Sequence, residues 1–146
     1  MTSFTRDISI GGNNYTEAIQ KELGLSAEQA ERVKTGEEAA PDAGAVSRVM
    51  ETVGENIAVE VQRSFDFFRA TTADQEIHRI LLSGGGARVS GLDGVLAQRL
   101  RVEVGIFDPF QNLKVNPKRF DPDYLKEHGP AAAVAVGLAL RKAGDR

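Results

Sequence analysis

The chain has no cysteine, and that one absence removes disulfides, thiolate nucleophiles and cysteine-held metal sites together. It fits a reducing compartment. Histidine is scarce too, with only His78 and His128. Neither has a His, Asp or Glu partner at ligand spacing, so the sequence offers no metal site, and both read as structural or solvated. Lys and Arg form no basic run, and the formal net charge is −3. Nucleic acid is thereby disfavoured as a partner, because neutralising its phosphates needs clustered cations. No apolar run is long enough to cross a bilayer; the most apolar helix, Ala131 to Leu140, is too short. The start, Met1 to Asp7, lacks the pattern of a signal peptide. The chain reads as soluble, without repeats or low-complexity segments.

Familiar catalytic signatures are missing as well. No Lys-Ser or Lys-Thr follows the glycines at Gly84 to Gly86, which rules out a Walker-type phosphate loop. The dinucleotide fingerprint needs Gly or Ala where Val89 stands. Ser83 has no Gly-x-Ser-x-Gly elbow around it. Carboxylates are plentiful, yet no pair is placed as a general acid and base, and Asp108 and Asp121 read as caps. No catalytic constellation emerges.

What the sequence does have is centred on Ile80-Leu81-Leu82-Ser83-Gly84-Gly85-Gly86-Ala87. A short apolar run without alternation reads as a strand buried on both faces of a parallel or mixed sheet. Three glycines then carry the backbone past the carboxyl edge of that sheet, where ligands of open α/β sheets bind. Backbone without Cβ atoms lets a flat ligand lie on peptide planes. The competing reading is a tight turn and nothing more. Ser90-Gly91-Leu92 opens an amphipathic helix with Leu92, Val95, Leu96 and Leu100 on one side. With 146 residues, 41% hydrophobic and 27% charged, the chain suits one globular domain, or two small lobes sharing a core.

Along the rest of the chain, Phe4 to Ile10 alternates, with Phe4, Ile8 and Ile10 on one face, and predicts a half-buried strand. Gly11-Gly12 ends it. Asn14, with Glu17 three residues on, predicts a capped helix whose stripe is Tyr15, Ala18, Ile19 and Leu23, closed by Gly24. Ser26 with Gln29 is a capping box for a second helix, Ala27 to Thr35. Ala30 and Val33 face inward there, while Glu31 and Lys34 share another face. Gly36 to Gly44 reads as an exposed connection. A long helix over Ala45 to Ala70 follows from Val46, Val49, Met50, Val53, Ile57, Val61, Phe65 and Phe68, spaced by threes and fours. Val102 to Phe107 predicts another strand. Asp108-Pro109 and Asp121-Pro122 each have the look of a helical N-terminus, and Gly129-Pro130 opens a final small-residue helix, Ala131 to Ala143.

Beside the glycine platform, Glu31 and Lys34 are the candidate ligand groups. A carboxylate accepts from ribose hydroxyls, and an ammonium donates to purine nitrogens, hydroxyls or phosphate. Equally, the two could form an exposed helical ion pair worth a few tenths of a kcal/mol.

The order of motifs resembles the second half of the actin-like ATPases. A strand ending in Ile10-Gly11-Gly12 comes first, then Ala30-Glu31-Arg32-Val33-Lys34. Leu82-Ser83-Gly84-Gly85-Gly86-Ala87 follows, and Gly129-Pro130-Ala131-Ala132-Ala133-Val134-Ala135-Val136-Gly137-Leu138-Ala139 closes the series. Within that group the chain most resembles the PilM family of type IV pilus assembly, cytoplasmic proteins related to the division protein FtsA. Phe4 to Gly12, Leu25 to Lys34 and the final helix carry the likeness best, and Gly36 to Gly44 carries it least.

The resemblance implies half of a ribonuclease H-like, actin-like ATPase: an α/β fold with a mixed sheet flanked by helices and a small helical/β 2B lobe. Residues 1–12 and 72–146 would form the sheet-containing 2A subdomain, without its first hairpin. Residues 13–71 would form the 2B lobe and its long connecting helix. By position, Gly84, Gly85 and Gly86 match the adenosine motif, and Glu31 and Lys34 match the residues that reach ribose and adenine. Gly12 matches the glycine pair beside the cleft, and Ala133 to Leu140 the helix beneath the nucleotide-binding sheet. The implied cofactor is ATP, with magnesium in the full-length protein; no catalytic residue or metal ligand is matched here.

In that family the phosphate-gripping loops and acidic residues lie mainly upstream, one of them in an Asp-Ile-Gly hairpin that does not precede Phe4. The expectation is therefore a fragment, most of 2A and all of 2B. It would bind nucleotide weakly and hydrolyse nothing, while the full-length protein could be a weak ATPase. The implied role is a nucleotide switch or scaffold, peripheral to the inner membrane, for inner-membrane pilus proteins such as PilN, bound through the first domain. Alternatives are a scaffold that binds no nucleotide, or an FtsA-like filament-forming division domain. An unpaired edge at the Phe4 to Ile10 strand also predicts self-association.

Overall fold

Local capping chemistry sets the helix limits of the computed structural model, which describes residues 4–72, 76–142 and 144. Helix α1 is Gly12–Leu23. Its start corrects the sequence expectation: Gly11 is the cap, and Asn14 lies inside the first turn, where its side-chain oxygen accepts from the Gly11 N–H at 2.7 Å. That bond satisfies an end donor from within the helix and leaves Glu17 no capping role. Gly24, at φ +65°, ends α1 in the left-handed conformation that favours glycine.

Helix α2, Ala27–Thr35, begins and ends where the sequence places it. Ser26 Oγ accepts from the Gln29 N–H at 3.2 Å, and Gln29 Oε1 accepts from the Ser26 N–H at 3.1 Å. This reciprocal pair satisfies two end donors at once. Helix α3, Ala43–Thr71, starts two residues before Ala45 because Asp42 Oδ1 accepts from the Ala45 N–H at 2.9 Å and so caps the chain earlier.

Helix α3 serves two cores. Its N-terminal half lays Val46, Val49 and Met50 against Ile19, Ala30 and Val33 of α1 and α2. Its C-terminal half lays Ile57, Ala58, Val61 and Phe65 against α4 (Leu92–Leu100), whose Leu92, Leu96 and Leu100 are buried. The three-four spacing of the stripe is therefore used along the whole length, by different neighbours at each end.

Strands β1 (Arg79–Leu82) and β2 (Glu103–Ile106) pair in parallel, Arg79 opposite Glu103 through to Leu82 opposite Ile106. Helix α4 is the crossover between them, the connection that parallel strands require. Among the described residues these two strands are the whole sheet, so the mixed sheet expected from the sequence is absent there. Burial of β1 on both faces is also corrected. Ile80, Leu82 and Val104 pack on the α3–α4 core, whereas Leu81, between Ile80 and Leu82 on β1, is 51% exposed. Successive side chains point to opposite faces of a strand, and α3 and α4 cover only one of them.

The expected strand at Phe4 to Ile10 does not form a ladder. Among the described residues no strand pairs with it, and side chains dock it on α3 instead. Phe4 packs against Phe67 and Phe68, with ring centroids 5.5 and 6.1 Å apart. Arg6 reaches Glu60 Oε2 at 2.8 Å and Ser64 Oγ at 2.9 Å.

The end of the chain is more broken than expected. Asp108-Pro109 makes a turn, with Asp108 Oδ1 accepting from the Phe110 N–H at 2.8 Å, and no helix follows. Asp121-Pro122 does open one, α5 (Pro122–His128). The final helix divides into a 3-10 turn, Gly129–Ala132, and a short α6, Ala133–Ala139. Val134 and Leu138 of α6 are 74% and 60% exposed, so α6 does not bury its apolar side beneath the sheet. Ala143, where the sequence reading ends this helix, lies outside the described residues. No described helix is long and apolar enough to cross a membrane.

Candidate functional site

The glycine turn divides its work among its three residues. Gly84 has φ +81° and ψ 179°, a conformation essentially closed to residues with a Cβ. Its N–H donates to the Pro130 carbonyl at 2.7 Å, tying the end of β1 to the Gly129–Ala132 turn. Gly85 and Gly86 then enter a 3-10 turn, Gly85–Arg88. A Cβ built on either would meet nothing within 4 Å. Their bare backbone fronts open space, and no internal packing demands it.

That space is a hollow of about 370 Å³ between two walls. Gly12, Glu31, Lys34 and Thr35 form one wall, from the start of α1 and the exposed face of α2. Gly85, Gly86, Arg88 and Val89 form the other. Of the six residues singled out from the sequence, five meet here, and Gly84 supports the turn behind them. A larger hollow of about 780 Å³, between Arg69, Glu76 and Leu100 to Val102, contains none of the six.

On the α1–α2 wall the polar groups form one closed network. Lys34 Nζ donates to Glu31 Oε2 at 2.6 Å, to Thr16 Oγ1 at 3.0 Å and to the Gly12 carbonyl at 3.3 Å. An ammonium has three donors, so all of them are occupied, and the Lys34 side chain is only 10% exposed. Thr16 Oγ1 in turn donates to Glu31 Oε2 at 2.5 Å. Both bonds to Glu31 end on the same oxygen, and Oε1 has no partner among the described residues. The Lys34 ammonium first, and then the Thr16 hydroxyl, hold the Glu31 carboxyl below the ordinary carboxylate range.

Sequence reasoning found Glu31 and Lys34 but missed Thr16 and Arg88. Thr16 stands one turn after Gly12, so its face of α1 was legible; that α2 packs across that face was not. Arg88 lies two residues beyond Gly86, and a cation so close to a glycine turn was a usable signal. Its guanidinium bonds Glu127 Oε1 at 2.6 Å, which ties this wall to α5.

Chemically, the hollow offers a flat peptide surface facing an ionised carboxylate with one oxygen free to accept. Such a pair suits a planar group joined to a hydroxyl-bearing ring. Among the described residues no cluster of three or more His, Cys, Asp or Glu side chains could hold a metal ion. Glu31 is the one carboxylate among the described residues lining the hollow, and its Oε2 is already committed to Lys34 and Thr16, so these walls by themselves do not make a magnesium site.

The family model described as "Type IV pilus assembly protein PilM" matches residues 1–143. Among solved structures, one described as "PilM-PilN type IV pilus biogenesis complex" is similar, with 34% sequence identity and a TM-score of 0.78. The match covers 93% of this chain and 38% of that one, so the present chain spans well under half the length of its relative.

Proposed function

Because the chain belongs to the type IV pilus assembly protein PilM family, we propose that it forms the adenosine side of an ATP-binding cleft in an actin-like fold. One observation carries the reading. Residues far apart in sequence, Gly12, Glu31, Lys34, Gly85 and Gly86, line one hollow of about 370 Å³. The nucleoside would lie on the Gly85–Gly86 backbone with its ribose hydroxyls donating to Glu31. Lys34 holds that carboxylate; for its ammonium to reach the base, one of its three internal bonds must open.

The triphosphate and its magnesium would be gripped by residues outside this chain, since the hollow presents no phosphate loop. ATP would then bridge two domains, and closure of the cleft would be relayed to inner-membrane pilus proteins from the cytoplasmic side. The relative solved with PilN supports PilN as that partner; it would bind through the first domain, outside the present chain.

Titration of a fluorescent ATP analogue against the intact protein tests the reading. Glu31→Ala combined with Lys34→Ala is expected to weaken binding sharply. Unchanged nucleotide affinity with reduced partner binding would replace the nucleotide reading with a scaffold. Measurable ATP turnover by the 146-residue chain alone would show that its chemistry does not depend on residues elsewhere.

A further inference from the structure

Thr16 has more to do than fill space. It is 9% exposed, and its hydroxyl accepts from Lys34 at 3.0 Å and donates to Glu31 at 2.5 Å. The hydroxyl is thus the hub through which α1 sets the rotamer of a carboxylate carried by α2. Its donation occupies Oε2 and leaves Oε1 as the acceptor on a residue that lines the hollow. An acceptor held in place loses less freedom on binding than a mobile one. The lost hydrogen bond would also fall on a ligand that lacks the matching hydroxyl.

We propose that Thr16 is a positioning residue that makes this hollow selective for a ribonucleotide over its 2′-deoxy counterpart. The proposal rests on the nucleotide reading above and adds to it the origin of sugar discrimination. Without the Thr16 hydroxyl, Glu31 keeps Lys34 as its only anchor, and its carboxylate is free to rotate about that one bond. The free oxygen is then no longer presented to a ribose diol. Selectivity should vanish while the glycine platform, which Thr16 does not touch, still receives the base.

The test is the ratio of dissociation constants for 2′-deoxyATP and ATP in the intact protein, measured for the wild type, Thr16→Val and Thr16→Ser. One hydrogen bond to a charged acceptor predicts a ratio of about tenfold in the wild type. Thr16→Val keeps the shape of the side chain and should bring the ratio close to one; Thr16→Ser restores the hydroxyl and should restore the ratio. Thermal unfolding of both variants shows that they fold. Equal weakening of both ligands by Thr16→Val would assign Thr16 a packing role and overturn the proposal, as would failure of Thr16→Ser to restore the ratio. A wild-type ratio of one also overturns it, yet leaves the nucleotide site standing. No ATP binding by the wild type overturns both.

Discussion

A triple glycine needed only for a turn and one kept bare for a ligand respond differently to a single methyl group. Gly84 sits at φ +81°, where an L side chain is strained, so Gly84→Ala should destabilise by about 1–3 kcal/mol. Gly85 and Gly86 lie outside the positive-φ residues, and an added Cβ meets nothing within 4 Å. At a compatible position, alanine narrows the unfolded ensemble and stabilises by about 0.4–1 kcal/mol. For a chain of this size each kcal/mol moves the melting temperature by roughly 2–4 °C. Gly84→Ala should therefore melt several degrees lower than the wild type, and Gly85→Ala and Gly86→Ala at or slightly above it.

Ligand binding should follow a different pattern. A methyl on Gly85 or Gly86 holds a planar base off the peptide surface. A gap of 0.5–1 Å forfeits about a quarter to a half of each dispersion contact, and over a whole base this amounts to about tenfold in affinity. Thermal unfolding with nucleotide titration of the three variants separates the two effects. If Gly85→Ala or Gly86→Ala melts as far below the wild type as Gly84→Ala, the fold itself needs all three glycines. The open platform then loses its warrant as a binding surface.

The remaining predictions concern titration. Lys34 and Thr16 hold the folded-state pKa of Glu31 below its unfolded value, so the stability it contributes is present above about pH 4. That contribution is lost as pH falls through the depressed folded value. The stability gap between wild type and Glu31→Gln in urea titrations should therefore close on acidification, and a gap that widens would contradict the network. Tyr15 is buried, and its hydroxyl has no hydrogen-bond partner among the described residues. Tyr15→Phe should raise stability by about 1 kcal/mol at neutral pH, because an unpaired buried hydroxyl is costly. Burial also pushes the Tyr15 phenol upward. Ionisation is therefore disfavoured in the folded state, so its titration leaves stability untouched below about pH 10 and lowers it as pH climbs from there through the raised value. Urea denaturation across alkaline pH should show the loss in the wild type and not in Tyr15→Phe.

Where the fold depends on neighbouring residues in the chain, the sequence was a good guide. The Ser26–Gln29 box and Gly36 fix α2, because every group that satisfies its ends lies within a few residues. The α3 stripe was legible for a related reason, since one helix face repeats at a set spacing whatever covers it. Even the order of motifs needed only the chain, and it was enough to suggest the family.

Coverage and convergence were another matter. Leu81 read as buried, and Phe4 to Ile10 as a half-buried strand, because an apolar pattern states a preference for a partner without supplying one. In the structure one face of β1 has no cover, and Phe4 finds α3 instead of a strand. The site shows the same division. Glycines and a Glu–Lys pair could be picked out singly, but their meeting in one hollow depends on how α1, α2 and the end of β1 pack. Thr16 became visible only when α1 brought its hydroxyl to within 2.5 Å of Glu31. A hydrogen bond across two helices depends on distance in space, and spacing along one helix does not record it.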